Sequence, residues 1–389
     1  MYSFAISYII YYFKHSYYFY IMICKYFNKC GGCQIQNLSY NKQIEYKINK
    51  FIEIFNLEPD EVIKSPKIFY YRNRMDYAVG KNYEVGLKEY KKWYSYIDID
   101  ECYLQSEESN IIRNRFRDFI INNKLEPWNN IDHTGFIRYI VIREGKFTNE
   151  RMVNIVTSNT ENIEYYKNIF LEFYKEIKKY VNSFYWTINN TISDVSYGDI
   201  NYNLNNNNYI KEKALDNIYY ISPNNFYQPN SYTAEILLKY VKELSNIKEN
   251  DIVYDLYSGS GFYAIELSKY SNYVYAIDNS IENKKMFEVN KNINNIKNLR
   301  FLLSRVEDIE KISADKIIVD PPRSGLGKGV IKKIINSYPK DIIYISCYPE
   351  TQKRDIDYFI NAGYKINNKI LIDQFPNTFH METIFTLKK

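Results

Sequence analysis

From about residue 225 onward, short β-rich runs alternate with helical stretches of ten or more residues, and this alternation restricts the fold more than any other feature. The runs are "DIVYDL" (251–256), "YVYAID" (273–278), "LRFLLS" (299–304), "KIIVD" (316–320) and "IIYIS" (342–346). Parallel strands need long crossover connections, so the pattern predicts stacked βαβ units around a parallel sheet. The stretch before residue 220 reads differently. Short runs such as "DYAVG", "YEVGL", "GFIRYIVIRE" and "ERMVNIVTS" alternate with period two, and helical stripes cover 34–63, 105–123 and 162–181. "NLNNNNYIKEK" (203–213) reads as a polar loop. The expected organisation is an α+β region over 24–220 and an α/β domain over 221–389, preceded by an extension over 1–23.

Open α/β sheets bind ligands beyond the carboxyl ends of their strands. Four successive strand ends here carry Asp255, Asp278, Asp320 and Cys347. Asp255 leads into "DLYSGSG", where Gly259 and Gly261 allow a tight turn and close approach to a ligand. Asp278 is placed to accept hydrogen bonds from ribose hydroxyls. The turn formally fits a dinucleotide fingerprint as well, so a nicotinamide dehydrogenase is one reading. Asp255 and the rigid "DPPRSG" (320–325) favour S-adenosylmethionine instead. A carboxylate at 255 repels a pyrophosphate but suits a cationic methionine moiety. Arg323 stands where amino-methyltransferases of adenine or cytosine carry an aromatic residue, which argues against methylation of an exocyclic nitrogen.

Cys347 follows a strand and precedes Pro349, beside the expected cofactor cleft. Methylation at carbon explains a thiol there. C5 of uracil is a poor nucleophile, and thiolate addition at C6 converts the ring into an enolate that attacks a methyl group. A base must then take the C5 proton so that the thiolate leaves. Glu382, in the otherwise apolar "FHMETIF", is the candidate, since burial raises a carboxylate toward a useful range. His380 nearby reads as a local hydrogen-bonding residue.

The other four cysteines cluster toward the N-terminus as C-x5-C-G-G-C (Cys24, Cys30, Cys33) with a distant Cys102. Zinc, an iron–sulfur cluster and no metal are the rival readings. Three ligands from one tight loop and a fourth some 70 residues away suit a [4Fe–4S] cluster better than zinc. The first 23 residues are aromatic and apolar but interrupted by Lys14 and His15, without a cleavage site. The reading preferred for them is a native start at Met22 and a cytoplasmic protein with no membrane span, whose clustered thiols stay reduced. The 43 tyrosines follow from an AT-rich codon bias rather than from base stacking, and a net charge of +5 permits a polyanionic partner.

"CGGC", "FYQPN", "DLYSGSG", "DPPRSGLG", "YISCYPET" and "FPNTFHMET" occur in that order. Together they resemble the bacterial RNA (uracil-C5)-methyltransferases, from about Cys24 to the end. The resemblance implies a C-terminal Rossmann-like class I methyltransferase domain, joined to an iron–sulfur and RNA-binding central domain without an N-terminal oligonucleotide-binding barrel. By it Cys347 is the nucleophile and Glu382 the base. Gln228, Tyr257, Asp278 and Asp320 then contact S-adenosylmethionine, and Cys24, Cys30, Cys33 and Cys102 hold the cluster. The cysteine loop belongs to the family's rRNA branch, which turns the expected substrate toward 23S rRNA. The T-loop uridine of tRNA is the alternative, and a non-catalytic iron–sulfur RNA-binding protein is another. Arg72, Arg74, Arg138 and Arg143 are candidate phosphate contacts, and a monomer is expected. Tyr348, in place of an asparagine after the nucleophile, Phe262 after the glycines, and "LLSRVED" (302–308) depart from the family pattern.

Overall fold

The computed structural model describes residues 23–92 and 94–389. Apart from Ile23, the expected extension and its start at Met22 lie outside the described residues. Helix α1 (Tyr40–Phe55) buries Gln43, Ile44, Lys47, Phe51 and Phe55, a stripe with helical spacing, and stops at Asn56 in the left-handed region (φ 52°). Strand β1 (Glu61–Ile63) follows. The period-two runs then form β2 (Arg74–Val79), β3 (Val85–Lys88) and β4 (Tyr96–Asp98). Helix α2 (Glu107–Asn122) starts at Ser106, whose side chain accepts from Ser109 N, with Glu107 and Glu108 in its first turn. Strands β5 (Ile137–Gly145) and β6 (Glu150–Thr157), helix α3 (Ile163–Ile177), and strands β7 (Ser183–Ile188) and β8 (Ile200–Asn203) complete a seven-stranded sheet. Its order is β4-β3-β2-β5-β6-β7-β8, antiparallel except for β6 with β7. Phe116 and Phe119 of α2 meet Phe173 of α3 with ring centroids 5.3 and 5.0 Å apart, and Trp186 is fully buried in the same core.

The polar run at 203–213 is only partly a loop. Strand β9 (Ile210–Ala214) begins inside it and pairs with β10 (Asn217–Ile221), its burial alternating residue by residue. Lys211 and Lys213 face outward while Ile210, Glu212 and Ala214 face in, so charged residues disguise a strand.

The expected βαβ units follow as α4 (Ser231–Ser245), β11 (Ile252–Leu256), α5 (Phe262–Leu267), β12 (Tyr273–Asp278), α6 (Ile281–Ile293), β13 (Leu299–Leu303), β14 (Lys316–Val319), α7 (Lys328–Ser337), β15 (Asp341–Ser346) and α8 (Pro349–Asn361). Strands β16 (Lys365–Ile372) and β17 (Glu382–Lys388) close an eight-stranded sheet ordered β1-β16-β17-β15-β14-β11-β12-β13. Only β17 runs antiparallel to its neighbours. The direction of strand succession reverses between β11 and β14, which opens a crevice at their carboxyl ends.

Sequence position and sheet membership part company at the N-terminus. β1 pairs with β16, and Phe51 and Phe55 of α1 stack on Phe385 of β17 at 5.8 and 4.6 Å. Residues 40–63 therefore pack on the C-terminal sheet, although they lie within the expected central region. Periodicity reports which face of an element is apolar and is silent on which distant sheet receives it. Arg138 and Arg143, expected at phosphates, are buried. Arg138 lies over the Trp128 ring and donates to the carbonyls of Asn189, Thr191 and Ser193. Arg143 donates to the carbonyls of Ser222 and Asn225, so both arginines hold loops, and Arg143 also lines a cleft against the central sheet.

Lys47 of α1 is fully buried against Asp373 and also donates to Phe375 O at 3.0 Å. Breaking a buried pair on one side leaves an uncompensated charge. Lys47→Met should therefore destabilise by about 3–5 kcal/mol in urea unfolding. Lys47→Met with Asp373→Leu should recover most of that loss, and equal losses in the single and double variants would refute the pairing.

Candidate active site

Each functional side chain sits at a strand end or in the loop after it. Past β11 the chain turns through Tyr257 (φ 61°), Gly259 (φ 54°) and Gly261 (φ 88°) before α5. At Gly261 a Cβ would lie 2.7 Å from the Phe287 ring, so the position combines a left-handed backbone with close packing. Gly259 N donates to Asp278 Oδ2 at 3.1 Å, while Asp278 Oδ1 accepts from Ser280 N at 2.9 Å and Asn283 Nδ2 at 3.0 Å. These bonds fix the carboxylate at the mouth of β12. Asp255 does not reach the cleft as expected. It is fully buried, accepts from Ala264 N at 3.0 Å, and so caps the turn from beneath.

The turn, the end of β12 and the "DPPR" loop enclose a cleft of about 840 Å³. Gln228, Tyr257, Asp278, Asp320, Cys347 and Glu382 all line it. The approach of the last two follows from register. Ser346 of β15 pairs with Thr383 of antiparallel β17, so the next residue of β15 and the preceding residue of β17 lie side by side. Those residues are Cys347 and Glu382.

The cleft is acidic at its floor. Burial and the neighbouring Asp320 push the Glu382 carboxyl well above the ordinary range. Asp320 rises to about 6 through burial, opposed by Tyr263 and Gln228, which donate to its Oδ2 at 3.1 and 3.0 Å. Cys347 is pushed up to about 12 by burial and by Glu382 and Asp320, with Arg323 acting in the opposite sense through a hydrogen bond. A cation in the cleft lowers all three groups. His380 is held down to about 4 by burial and by Arg323, Lys47 and Arg72, which leaves it neutral. Tyr348 caps α8 beside the nucleophile and remains 37% exposed. Phe262 packs into the core between Tyr219 and Tyr227.

Sequence reasoning missed Tyr263 and Gln374 and used Arg323 only to exclude a chemistry. Tyr263 carried no signal because its hydroxyl acts on a residue 57 positions away. Of the proposed phosphate contacts, Arg72 and Arg74 line a second cleft of about 660 Å³ against the central sheet, where Arg74 Nε also donates to Asp76 at 2.8 Å. Cys24, Cys30, Cys33 and Cys102 border one small cavity of about 20 Å³ beside β3. Gly32 N donates to Cys30 Sγ at 3.3 Å, and burial raises all four thiols. Among the described residues no three His, Cys, Asp or Glu side chains form a recognisable metal-ion ligand group.

Residues 201–389 match the family model described as tRNA (uracil-5-)-methyltransferase. The tRNA (uracil(54)-C(5))-methyltransferase of Pyrococcus abyssi is 39% identical over 94% of this chain and 85% of its own length. The chain belongs to the tRNA (uracil-5-)-methyltransferase family. It is thus an RNA (uracil-C5)-methyltransferase. The 23S rRNA (uracil(747)-C(5))-methyltransferase of the same organism is 32% identical over the same shares of the two chains. The crystal structure of the Pyrococcus abyssi tRNA enzyme with S-adenosyl-L-homocysteine superposes with a TM-score of 0.77 at 36% identity, covering 92% of this chain and 85% of that one.

The raised carboxyls have a definite sign. A base whose pKa is raised is lost as pH falls through the raised value, so the acid limb of methyl transfer should lie above the range of an ordinary glutamate. Arg323→Met should slow carbamidomethylation of Cys347 at mildly alkaline pH by about tenfold, equivalent to one unit of thiol pKa. Peptide-mapped iodoacetamide labelling reads it, and an unchanged rate would exclude Arg323 as the group that favours the thiolate.

Proposed function

We propose that the chain methylates C5 of a uridine in tRNA, with Cys347 as nucleophile, Glu382 as general base and S-adenosylmethionine as methyl donor. The observation that carries the reading is the strand register that sets Cys347 beside Glu382 in the cleft that also holds Asp278 and Asp320. The donor supplies an electrophilic methyl group on a sulfonium. The residues of the cleft fit it: the glycine turn admits a ligand closely, Asp278 suits the ribose hydroxyls, and Tyr257 walls the pocket. Asp320 adds a carboxylate suited to a cation.

Cys347 gives its proton to solvent and adds to uracil C6, forming a C–S bond and an enolate across C5 and O4. The enolate takes the methyl group at C5, the methyl–sulfur bond of the donor breaks, and S-adenosylhomocysteine leaves as a neutral thioether. Glu382 then removes the C5 proton, the C5–C6 double bond re-forms, and the C–S bond breaks to release the thiolate. Cys347 has to reach C6, and the methyl group C5, through the faces of the ring, so the base must leave any stack before it enters.

Relatives acting on tRNA and on 23S rRNA, the expected target, both support the family activity, and we rank the tRNA first. The identity of 39% to a tRNA uracil-54 enzyme, against 32% to an rRNA uracil-747 enzyme over equal coverage, supports uracil-54 of tRNA first. The rRNA target stands as the second reading. The [4Fe–4S] cluster belongs to the same proposal. Its support is the donor set: four cysteine thiols around one cavity, three of them from a glycine-containing loop with an amide aimed at sulfur. The cluster takes no part in the steps above.

Incubated with unmodified tRNA and 23S rRNA transcripts, the wild-type protein should place 5-methyluridine in the tRNA, mapped by mass spectrometry. Methylation confined to the rRNA would reject the tRNA target, and turnover by Cys347→Ala would reject the mechanism. Anaerobically purified protein should be brown with four irons per chain, and Cys102→Ala should lose that colour. Stoichiometric zinc in a colourless wild-type protein would reject the cluster.

A further inference from the structure

Gln374 has no part in the mechanism above, although it is fully buried and lines the same cleft. It lies in the segment between β16 and Glu382. Its Nε2 donates to Gln228 Oε1 at 2.8 Å, and its Oε1 accepts from Thr233 Oγ1 of α4 at 2.8 Å. Gln228 Nε2 in turn donates to Asp320 Oδ2 at 3.0 Å. The main chain of both glutamines is anchored as well: Asn230 Nδ2 donates to Gln374 O at 3.0 Å, and Asn73 Nδ2 to Gln228 O at 2.7 Å.

The direction of this chain of bonds is determined by chemistry. A primary amide has one accepting and one donating end, and an ionised carboxylate only accepts. Gln228 must therefore turn its NH₂ toward Asp320 and its carbonyl toward Gln374. Gln374 must then turn its own NH₂ toward Gln228 and its carbonyl toward the Thr233 hydroxyl. A flip of either amide sets two acceptors or two donors against each other, which in a buried site costs about as much as losing the bond.

We propose that Gln374 is a positioning residue for methyl transfer, holding the donating end of the Gln228 amide in place against Asp320 in the cleft. This rests on the assignment of that cleft to methyl transfer. The groups that face Asp320 are Tyr263 of α5, Gln228, Glu382 of β17, Cys347 after β15 and Asp255 of β11. Burial opposes its charge, and the neutral donors Gln228 and Tyr263 are what sustain it. Without Gln374, the Gln228 carbonyl loses its partner, and the amide is no longer held against Asp320.

The test is a double-mutant cycle on single-turnover methyl transfer to a uridine-containing RNA, recorded across pH. Gln374→Met and Gln228→Met should each slow transfer at neutral pH by about ten- to hundredfold. Each should also move the acid limb to lower pH, because an Asp320 that is protonated more readily raises Glu382 less. The double variant should be no worse than Gln228→Met alone. Thr233→Val, which removes the far donor together with its bond to Asn230 O, should move the limb in the same direction by less, and thermal unfolding checks that each variant is folded. A limb that stays in place in Gln374→Met, or losses that multiply in the double variant, would overturn the proposal. Calorimetry reads the same relay without RNA. Gln374→Met should lower the preference for S-adenosylmethionine over S-adenosylhomocysteine by about tenfold, since only the former carries a sulfonium charge that Asp320 can attract. An unchanged preference overturns the relay, whereas a wild-type protein that binds the donor but methylates no uridine RNA overturns the functional reading instead.

Discussion

The site depends on the docking of one short segment, residues 373–381, between the two sheets. Asp373 is buried against Lys47 of α1, and Tyr71 donates to Pro376 O at 3.0 Å. Asn377 is held from three sides. Its carbonyl accepts from the amides of Gln34 and Ile35 at 2.9 and 3.1 Å, its amide hydrogen goes to Gln43 Oε1 at 2.8 Å, and its side chain donates to Ile68 O at 2.7 Å. All these partners precede residue 72, and residues 34 and 35 directly follow Cys33. The N-terminal part of the chain thus holds the loop from which β17 starts, and the first residue of β17 is Glu382. Antiparallel pairing then carries Glu382 to Cys347 with no further adjustment.

This arrangement accounts for the unusual electrostatics. Buried Asp255 and Glu382 lie in one region with half-buried Asp320, whose charge raises the cost of ionising both. Clustered carboxyls of this kind destabilise a fold unless something offsets them. Hydrogen bonds from Tyr263, Gln228 and Ala264 supply part of the offset, and a cationic donor in the cleft supplies more when present. The free protein is therefore poised for a positively charged ligand. Its nucleophile stays a protonated thiol until the negative field around it is relieved.

Much of this was legible in the sequence. The βαβ rhythm after residue 225 located five parallel strands, and their ends identified Asp278, Asp320 and Cys347 because a strand end at a sheet's crevice is where ligands meet protein. Glu382 was legible as a lone carboxylate in an apolar run. Asp255 was legible as a strand-end acid but misassigned to the ligand, because sequence does not show that it is buried beneath the turn and accepts from Ala264 N of α5. The membership of α1 and β1 in the C-terminal sheet was hidden, since their partners lie some 300 residues away. Arg138 and Arg143 illustrate the same limit. A basic residue on a strand looks identical whether it meets a phosphate or, as here, a set of loop carbonyls. Tyr263 and Gln374 act only through other side chains, and nothing local marks such residues.

The central claim is that Cys347 and Glu382 divide nucleophile and base between two paired strand ends. It is tested most directly by intact-mass spectrometry of the Glu382→Gln protein after incubation with a uridine RNA and S-adenosylmethionine. Without the base, the C5 proton remains and the C–S bond cannot break. The account predicts a covalent protein–RNA species that carries one added methyl group and maps to Cys347. Normal release of 5-methyluridine RNA by the Glu382→Gln protein, or an adduct at another residue, would contradict it.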